Sequence, residues 1–361
     1  MDKEGGDASG SPDADKRGFG ANGLPTAKAR VIELRSSAAL AAAVYLLALG
    51  GSILLGLQAT VLDSVPFWLG SAAFLGCYGR IFHPRAVRLA RTIEATFIVL
   101  VLGLSLACLS YMGAATKLPL RDADMAWIDE HLGFNWLEWM SWLDCWPGVL
   151  KLLDGAYATF TPQLLAVVLV LVIVKRARDL DRFFVTFVCA SLIAELTSFL
   201  VPTLGPMATV AKTSSFDNLP MLGRATADIV LALREGALKS IDLNALNGII
   251  SFPSLHAAVA VIVPYTLRWN KLLFWPMVAV DAVMLISAIP SGNHYLTDVI
   301  GGAAVAGLAI LSAGRIEDGL GRLFAFESDL PRGFAVPARQ PQPEIIQAST
   351  TLSDTAREPK V

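Results

Sequence analysis

Residues 92–113, TIEATFIVLVLGLSLACLSYMG, contain a single charged side chain, Glu94, and seven other stretches of the chain are nearly as apolar. A run of ~20 apolar residues can cross a bilayer as a helix, and in hydrocarbon only helices and closed barrels satisfy their own backbone groups. The eight runs, 38–60, 64–79, 92–113, 157–174, 183–201, 252–268, 272–290 and 294–313, predict an all-α fold: a polytopic membrane helical bundle of about eight transmembrane helices. Asp63 and Pro66 crowd the start of the second run. With 54% hydrophobic and 17% charged residues, the 361-residue chain is more apolar than soluble domains, which average about 45–50% and about 25%.

Basic residues set the expected orientation, because short cytoplasmic loops carry an excess of Lys and Arg. Arg80, Arg85, Arg88 and Arg91 follow the second run, Lys175, Arg176, Arg178 and Arg182 the fourth, and Arg268 and Lys271 the sixth. Together with Lys28, Arg30 and Arg35 before the first run, these blocks fall on one side, so both termini are expected in the cytoplasm. The loops 114–156 and 202–251 and the turn at 290–293 then lie outside. A net charge of -2 offers no electrostatic reason to expect nucleic acid. Cys77, Cys108, Cys145 and Cys189 have no paired spacing, so neither a disulfide framework nor a zinc site is implied. Residues 1–36 read as a polar, disordered tail, 37–91 as two additional spans, 92–313 as a six-helix domain, and 314–361 as a second tail, mostly disordered.

The outer stretch WIDEHLGFNWLEWMSWLDCW, 127–146, has Trp136, Trp139, Leu143 and Trp146 at helical spacing. It reads as a helix lying in the membrane interface, where indole rings concentrate, or as an aromatic stripe packed on the bundle. His131 in this stretch and His83 in the arginine block read as solvated.

Two motifs meet the membrane from the outer side: SFPSLHAAVA, 251–260, and IPSGNHYLTDVIGG, 289–302. Pro253 suits the first turn of a helix capped by Ser251 or Phe252, and Ser291, Gly292 and Asn293 supply the turn and cap for the last span. His256 and His294 are then placed within about one turn of helix N-termini, whose free N–H groups and partial positive charge attract an anion such as phosphate. Asp298 follows His294 by four residues, so the two stack on one helical face, and its carboxylate can accept the imidazole N–H and leave the other nitrogen free to attack. His294 is the candidate nucleophile, His256 the group that protonates the leaving oxygen, and Ser254 a phosphate contact. A metal site formed by His294, Asp298 and His256 is the rival, although no further carboxylate or cysteine completes its shell. Phosphoryl charge calls for cations, and the preceding loop contains Lys212, Arg224, Arg234 and Lys239. Arg234 is the preferred clamp and Lys239 the second phosphate-binding candidate, against the alternative of solvated loop charges. Glu195 and Asp281, inside spans, are expected to form hydrogen bonds between helices.

On these motifs the sequence resembles the type-2 phosphatidic acid phosphatase superfamily, over about residues 92–313. FPSLHAA and HYLTDVIGG look like its inositol phosphorylceramide synthase (inositolphosphotransferase) branch. The resemblance implies a six-helix lipid-phosphatase-like core and a metal-independent enzyme without cofactor. Such an enzyme cleaves a lipid-linked phosphoester at the outer face, with His294 as nucleophile, Asp298 its orienter, and His256 and Ser254 in the second motif. The acceptor is water in a phosphatase and a lipid alcohol in a headgroup transferase; the substrate is a phospholipid or a polyprenyl- or sphingolipid-type phosphoester. Leu255 stands where the superfamily has glycine, Ala288 where it has arginine, and VPTLGP, 201–206, resembles the element this branch has in place of the first motif. A non-catalytic lipid-binding or lipid-transporting protein of the same fold and a metal-dependent intramembrane hydrolase are the alternatives.

Overall fold

The computed structural model describes residues 27–63, 65–67, 70, 71, 74, 87–241 and 248–328; side chains at 27–36, 61, 87–91 and 320–328 are not described. The second apolar run falls mostly outside these residues, as do Cys77, Arg80, His83, Arg85 and most of both terminal stretches. Twelve helices are described: α1 (Ala27–Leu55), α2 (Thr60–Asp63), α3 (Val87–Ala114), α4 (Asp122–His131), α5 (Trp136–Asp144), α6 (Pro147–Tyr157), α7 (Phe160–Ile173), α8 (Ala177–Leu200), α9 (Leu222–Glu235), α10 (Leu255–Leu267), α11 (Lys271–Ser287) and α12 (Leu296–Ser328). Two-residue strands, β1 (Gln58–Ala59) and β2 (Ser240–Ile241), pair in parallel and tie the end of α1 to the approach to SFPSLH.

Four segments are long and apolar enough to cross a membrane: Ser37–Leu55, Thr92–Ala114, Ala177–Leu200 and Leu296–Gly319. The bent pair α6 and α7, which meet at 45°, is a fifth if counted as one span. Helix α10 has 13 residues and rises only about 20 Å, against about 30 Å for a bilayer core. The reason is local: 251–254 form a bend and the cap rather than helix.

α10 packs between α11 and α12, and α8 contacts α3, α10 and α12, so the core runs through Val259, Ile262 and Val263 of α10 to Phe183, Phe184 and Phe187 of α8. The described basic blocks gather at one end of this bundle. The Arg176 guanidinium lies 4.5 Å from the Trp269 ring centre, Arg182 pairs with Glu317 at 2.9 Å, and the Ser37 hydroxyl donates to Asp181 at 2.8 Å.

Residues 127–146 are not one helix. Gly133, with φ of 77°, turns the chain, and Asn135 starts α5 by accepting from the Glu138 N–H at 3.2 Å. Asparagine at this cap position satisfies one of the orphaned N–H groups of the first turn. The aromatic stripe divides. Trp136, Met140 and Leu143 are buried against Met207, Leu219 and Ile289, while Trp139, Trp142 and Trp146 form a row with rings about 6 Å apart, Trp142 57% and Trp146 52% exposed. Packing claims one face and the surroundings of the bundle the other. Downstream, the Asp144 carboxylate accepts the N–H groups of Asp217, Asn218 and Leu219 at 2.8–2.9 Å and so holds the loop 212–220 beneath α5. Burial raises the Asp144 carboxyl more than any one donor lowers it, but the three donors together hold it below the ordinary range.

Candidate active site

The site forms where the start of α10 meets the start of α12, and glycine makes the approach possible. A side chain on Gly302 would place its Cβ 2.1 Å from the Ser254 carbonyl oxygen, and one on Gly301 would meet the Phe252 ring at 2.9 Å. At that contact the Ser254 N–H donates to the Asp298 carbonyl at 3.0 Å. Ser254 is the N-cap of α10 and accepts from the Ala257 N–H at 3.4 Å. The sequence placed Ser251 or Phe252 at the cap and Pro253 in the first turn; instead Pro253 precedes the cap, and Ser251 is used elsewhere.

Ser251 holds the nucleophile candidate. The Nδ1 atom of His294 lies 2.9 Å from the Ser251 carbonyl oxygen and 3.5 Å from the Asp298 Oδ2 atom. A carbonyl only accepts, so Nδ1 must bear the hydrogen, and in the neutral ring Nε2 bears the lone pair. Nε2 faces the Ser254 hydroxyl at 3.3 Å. His294 precedes the first residue of α12, so the stacking on a helical face expected for His294 and Asp298 is replaced by a loop contact. Asp298 also accepts the Tyr295 N–H at 2.9 Å and lies 2.9 Å from the Ser251 hydroxyl, whose single hydrogen it shares with the Asn293 carbonyl at 2.6 Å. The carboxylate thus positions the residue whose carbonyl selects the tautomer.

His256 comes from the first turn of α10. Its ring stacks on Tyr157 with centroids 3.8 Å apart and planes 12° from parallel, touches Phe160 at 4.5 Å, and sits 6.3 Å from the His294 ring. The break between α6 and α7 therefore supplies the aromatic wall that aims His256 at His294. The two imidazoles, Ser254 and Asp298, distant in sequence, converge in one cluster. Among the described residues no three His, Cys, Asp or Glu side chains are grouped to hold a metal ion.

The start of α12 is not an open anion site. Asp129 of α4 accepts the N–H groups of Leu296 and Thr297, both at 2.8 Å, and the Thr297 hydroxyl at 2.5 Å. These donors were expected to face a phosphate; a carboxylate 167 residues upstream occupies them. Asp122, at the start of α4, does the same for the VPTLGP stretch, accepting the N–H groups of Leu204 at 3.0 Å and Gly205 at 2.9 Å and the Tyr295 hydroxyl at 3.2 Å. Burial pushes the Asp122 carboxyl above its ordinary range, against the pull of those donors. Gly205, with φ of 91°, then packs where a Cβ would stand 2.6 Å from the Asn293 carbonyl oxygen, directly under the His294 loop. Sequence reasoning missed both acids. The available signal is that Asp122, Met125 and Asp129 share one face of α4 and are all buried, which puts carboxylates at core positions.

The cations expected at the site do not reach it. Arg234 donates from one terminal nitrogen to the Thr116 carbonyl at 2.7 Å and from the other to the Leu118 carbonyl, so its guanidinium closes the end of α3 rather than facing His294. Lys239 is exposed beside β2, where its own carbonyl accepts from the Gln58 N–H at 2.8 Å. Arg224 is engaged by the Ala211 and Ser214 carbonyls. Both arginines are drawn to carbonyls that loop ends leave unpaired. Arg234→Ala should consequently cost stability, about 1–3 kcal/mol for two charged hydrogen bonds, and leave KM unchanged. Denaturation and kinetics of the variant measure the two separately, and a raised KM at unchanged stability would return Arg234 to the substrate.

A cavity of about 470 Å³ opens beside His256 between α3, α7 and α8. Its wall is mainly apolar, including Val99, Leu104, Leu164 and Phe187, with Leu255 where the superfamily has glycine, and with Glu195, Asn293 and His256 as its hydrogen-bonding corners. No lysine or arginine lines it among the described residues, and the stretch 242–247, DLNALN, contains neither.

A family profile described as the PAP2 superfamily matches residues 123–312, a range that contains Ser254, His256, His294 and Asp298. Among curated proteins and among solved structures nothing matches the chain. The profile covers more than half of the chain and includes Ser251, Ser254, His256, His294 and Asp298. The chain belongs to the PAP2 superfamily, whose members are phosphoesterases of the membrane lipid-phosphatase type.

Proposed function

We propose that the protein is an integral-membrane enzyme that cleaves a lipid-linked phosphoester through a phosphohistidine on His294. The observation that carries this reading is the bond from Nδ1 to the Ser251 carbonyl, 2.9 Å, which leaves Nε2 as the lone-pair nitrogen facing Ser254, with the His256 ring 6.3 Å from the His294 ring. Nε2 attacks phosphorus, the ester P–O bond breaks, and His256 gives its proton to the departing lipid oxygen. In the second half His256 takes the proton of the incoming hydroxyl while that oxygen displaces Nε2. Water as the incoming group releases phosphate; a lipid alcohol receives the phospho-headgroup. Ser254 and the first N–H groups of α10 contact the phosphoryl oxygens, and Asp298 stabilises the charge that develops on the His294 ring.

The charge at the site bears on the acceptor. A phosphomonoester carries nearly two negative charges and a phosphodiester one, and burying either requires compensation. With no lysine or arginine on the described wall, the pocket suits the singly charged diester. That supports the headgroup-transferring, inositolphosphotransferase-like branch over a simple phosphatase. The basic blocks gathered at the opposite end of the bundle support an extracytoplasmic site with both termini in the cytoplasm.

The test is the chemistry of the trapped intermediate. Protein quenched during turnover of a lipid labelled at phosphorus should retain label that is stable in base and released by acid, and turnover without such label would exclude the covalent route. Asp298→Asn should lower turnover by about 10- to 100-fold, less than the roughly 10⁴-fold expected where a carboxylate alone selects the tautomer. Here the Ser251 carbonyl keeps Nδ1 protonated without it. A fall as large as that caused by removing His294 would give the tautomer back to Asp298.

A further inference from the structure

Glu195 has no place in the chemistry above. It was expected to bond another helix, but among the described residues nothing donates to its carboxyl; it faces the cavity shared with His256. Ser110, on the same wall, gives its hydroxyl to the Ala107 carbonyl at 2.7 Å. At the His256 end of the cavity, Asn293 is buried and its side-chain oxygen also lacks a donor. An acceptor enclosed by apolar walls without a donor carries a desolvation penalty, which an occupant with its own N–H or O–H removes. The walls select alkyl chains, and these corners select what the chain bears.

We propose that Glu195 is a specificity-determining residue. It accepts a hydrogen bond from a hydroxyl, amide N–H or amine on the backbone of the lipid that fills the cavity, and so selects lipids bearing a donor near the phosphoester over lipids that have none. This rests on the lipid phosphoesterase reading above and adds the feature by which its lipid is distinguished. A site built around a hydrogen bond rejects the analogue lacking that group much more strongly than an apolar pocket rejects a missing methylene.

Two probes with the same headgroup and acyl chain isolate this feature: a monoacylglycerol phosphoester with its free secondary hydroxyl, and the 2-deoxy analogue. Wild type should favour the hydroxyl-bearing probe in kcat/KM by about tenfold or more. Glu195→Leu should bring the two within about twofold by lowering the first and sparing the second, an outcome that general damage to the fold does not produce. Glu195→Gln retains an acceptor oxygen and nearly the same shape; it should keep a preference for the hydroxyl, which makes it informative if the leucine variant does not fold. Equal kinetics for the two probes in wild type, or an equal fall for both in Glu195→Leu, overturns the proposal. Binding separates this failure from that of the enzyme reading: monoacylglycerol should raise the melting temperature of the full chain more than its 2-deoxy analogue, in wild type and in His294→Ala alike. If no phosphoester turns over but this difference persists, the enzyme reading fails and the role of Glu195 in selection stands. If turnover proceeds without discrimination, the reverse holds.

Discussion

His294→Ala should lower turnover by on the order of 10⁴-fold or more while the protein still folds and binds lipid. The size follows from what Nε2 supplies. Among the described residues no other side chain at the site has a nitrogen lone pair 3.3 Å from the cap hydroxyl with a bond on its other nitrogen to hold it there. His256 cannot substitute, because its ring is fixed between Tyr157 and Phe160 with its centroid 6.3 Å from that of His294. The variant should also take up no acid-labile label, and its melting temperature should fall only by what the loss of one buried ring and its contacts to Ser251 and Ser254 accounts for. Residual turnover within tenfold of wild type would show that water attacks directly, with His294 only binding phosphate.

The second large effect lies on the rear side of the same contact. Gly302→Ala puts a methyl group 2.1 Å from the Ser254 carbonyl oxygen and 2.9 Å from the Ala257 Cβ atom, and the first of these is backbone that cannot rotate aside. Overpacking of this kind costs about 1–3 kcal/mol, and more where no rotamer change relieves it. Because Ser254 caps α10 and its N–H is bonded to Asp298, the displacement separates Ser254 and His256 from His294, so turnover should fall along with stability. Gly307→Ala is the control on the same helix, with nothing within 4 Å of the added carbon. It should be neutral or stabilising by up to about 1 kcal/mol, since alanine suits a helix better than glycine. Thermal denaturation and kcat of the pair decide the matter; equal behaviour of the two variants would remove the close approach of α10 and α12 as a condition for activity.

Hydropathy alone located α1, α3, α7, α8, α10, α11 and α12, because burial in an apolar medium is imposed residue by residue along each helix. The site histidines were legible for a related reason: a costly polar group within an apolar run is conspicuous without knowledge of its neighbours. Their spacing did not reveal the local geometry. Ser251, rather than Asp298, accepts the shorter bond from Nδ1, since the loop before α12 turns His294 off the helical face.

What only the tertiary structure decided is where the spare hydrogen-bonding groups go. Asp129, Asp122 and Arg234 resemble surface charges in sequence, yet each is consumed by backbone groups from distant segments: the start of α12, the VPTLGP turn, the end of α3. Backbone donors and acceptors carry no sequence identity, so their partners cannot be read from residue types, and a competition for them is settled only once the helix ends are assembled. The sequence by itself determined the apolar helical bundle and singled out the pair of histidines proposed here as the reacting groups, through hydrophobicity and side-chain chemistry. The three-dimensional packing decided which nitrogen is free to react, and which charges are left to meet a substrate.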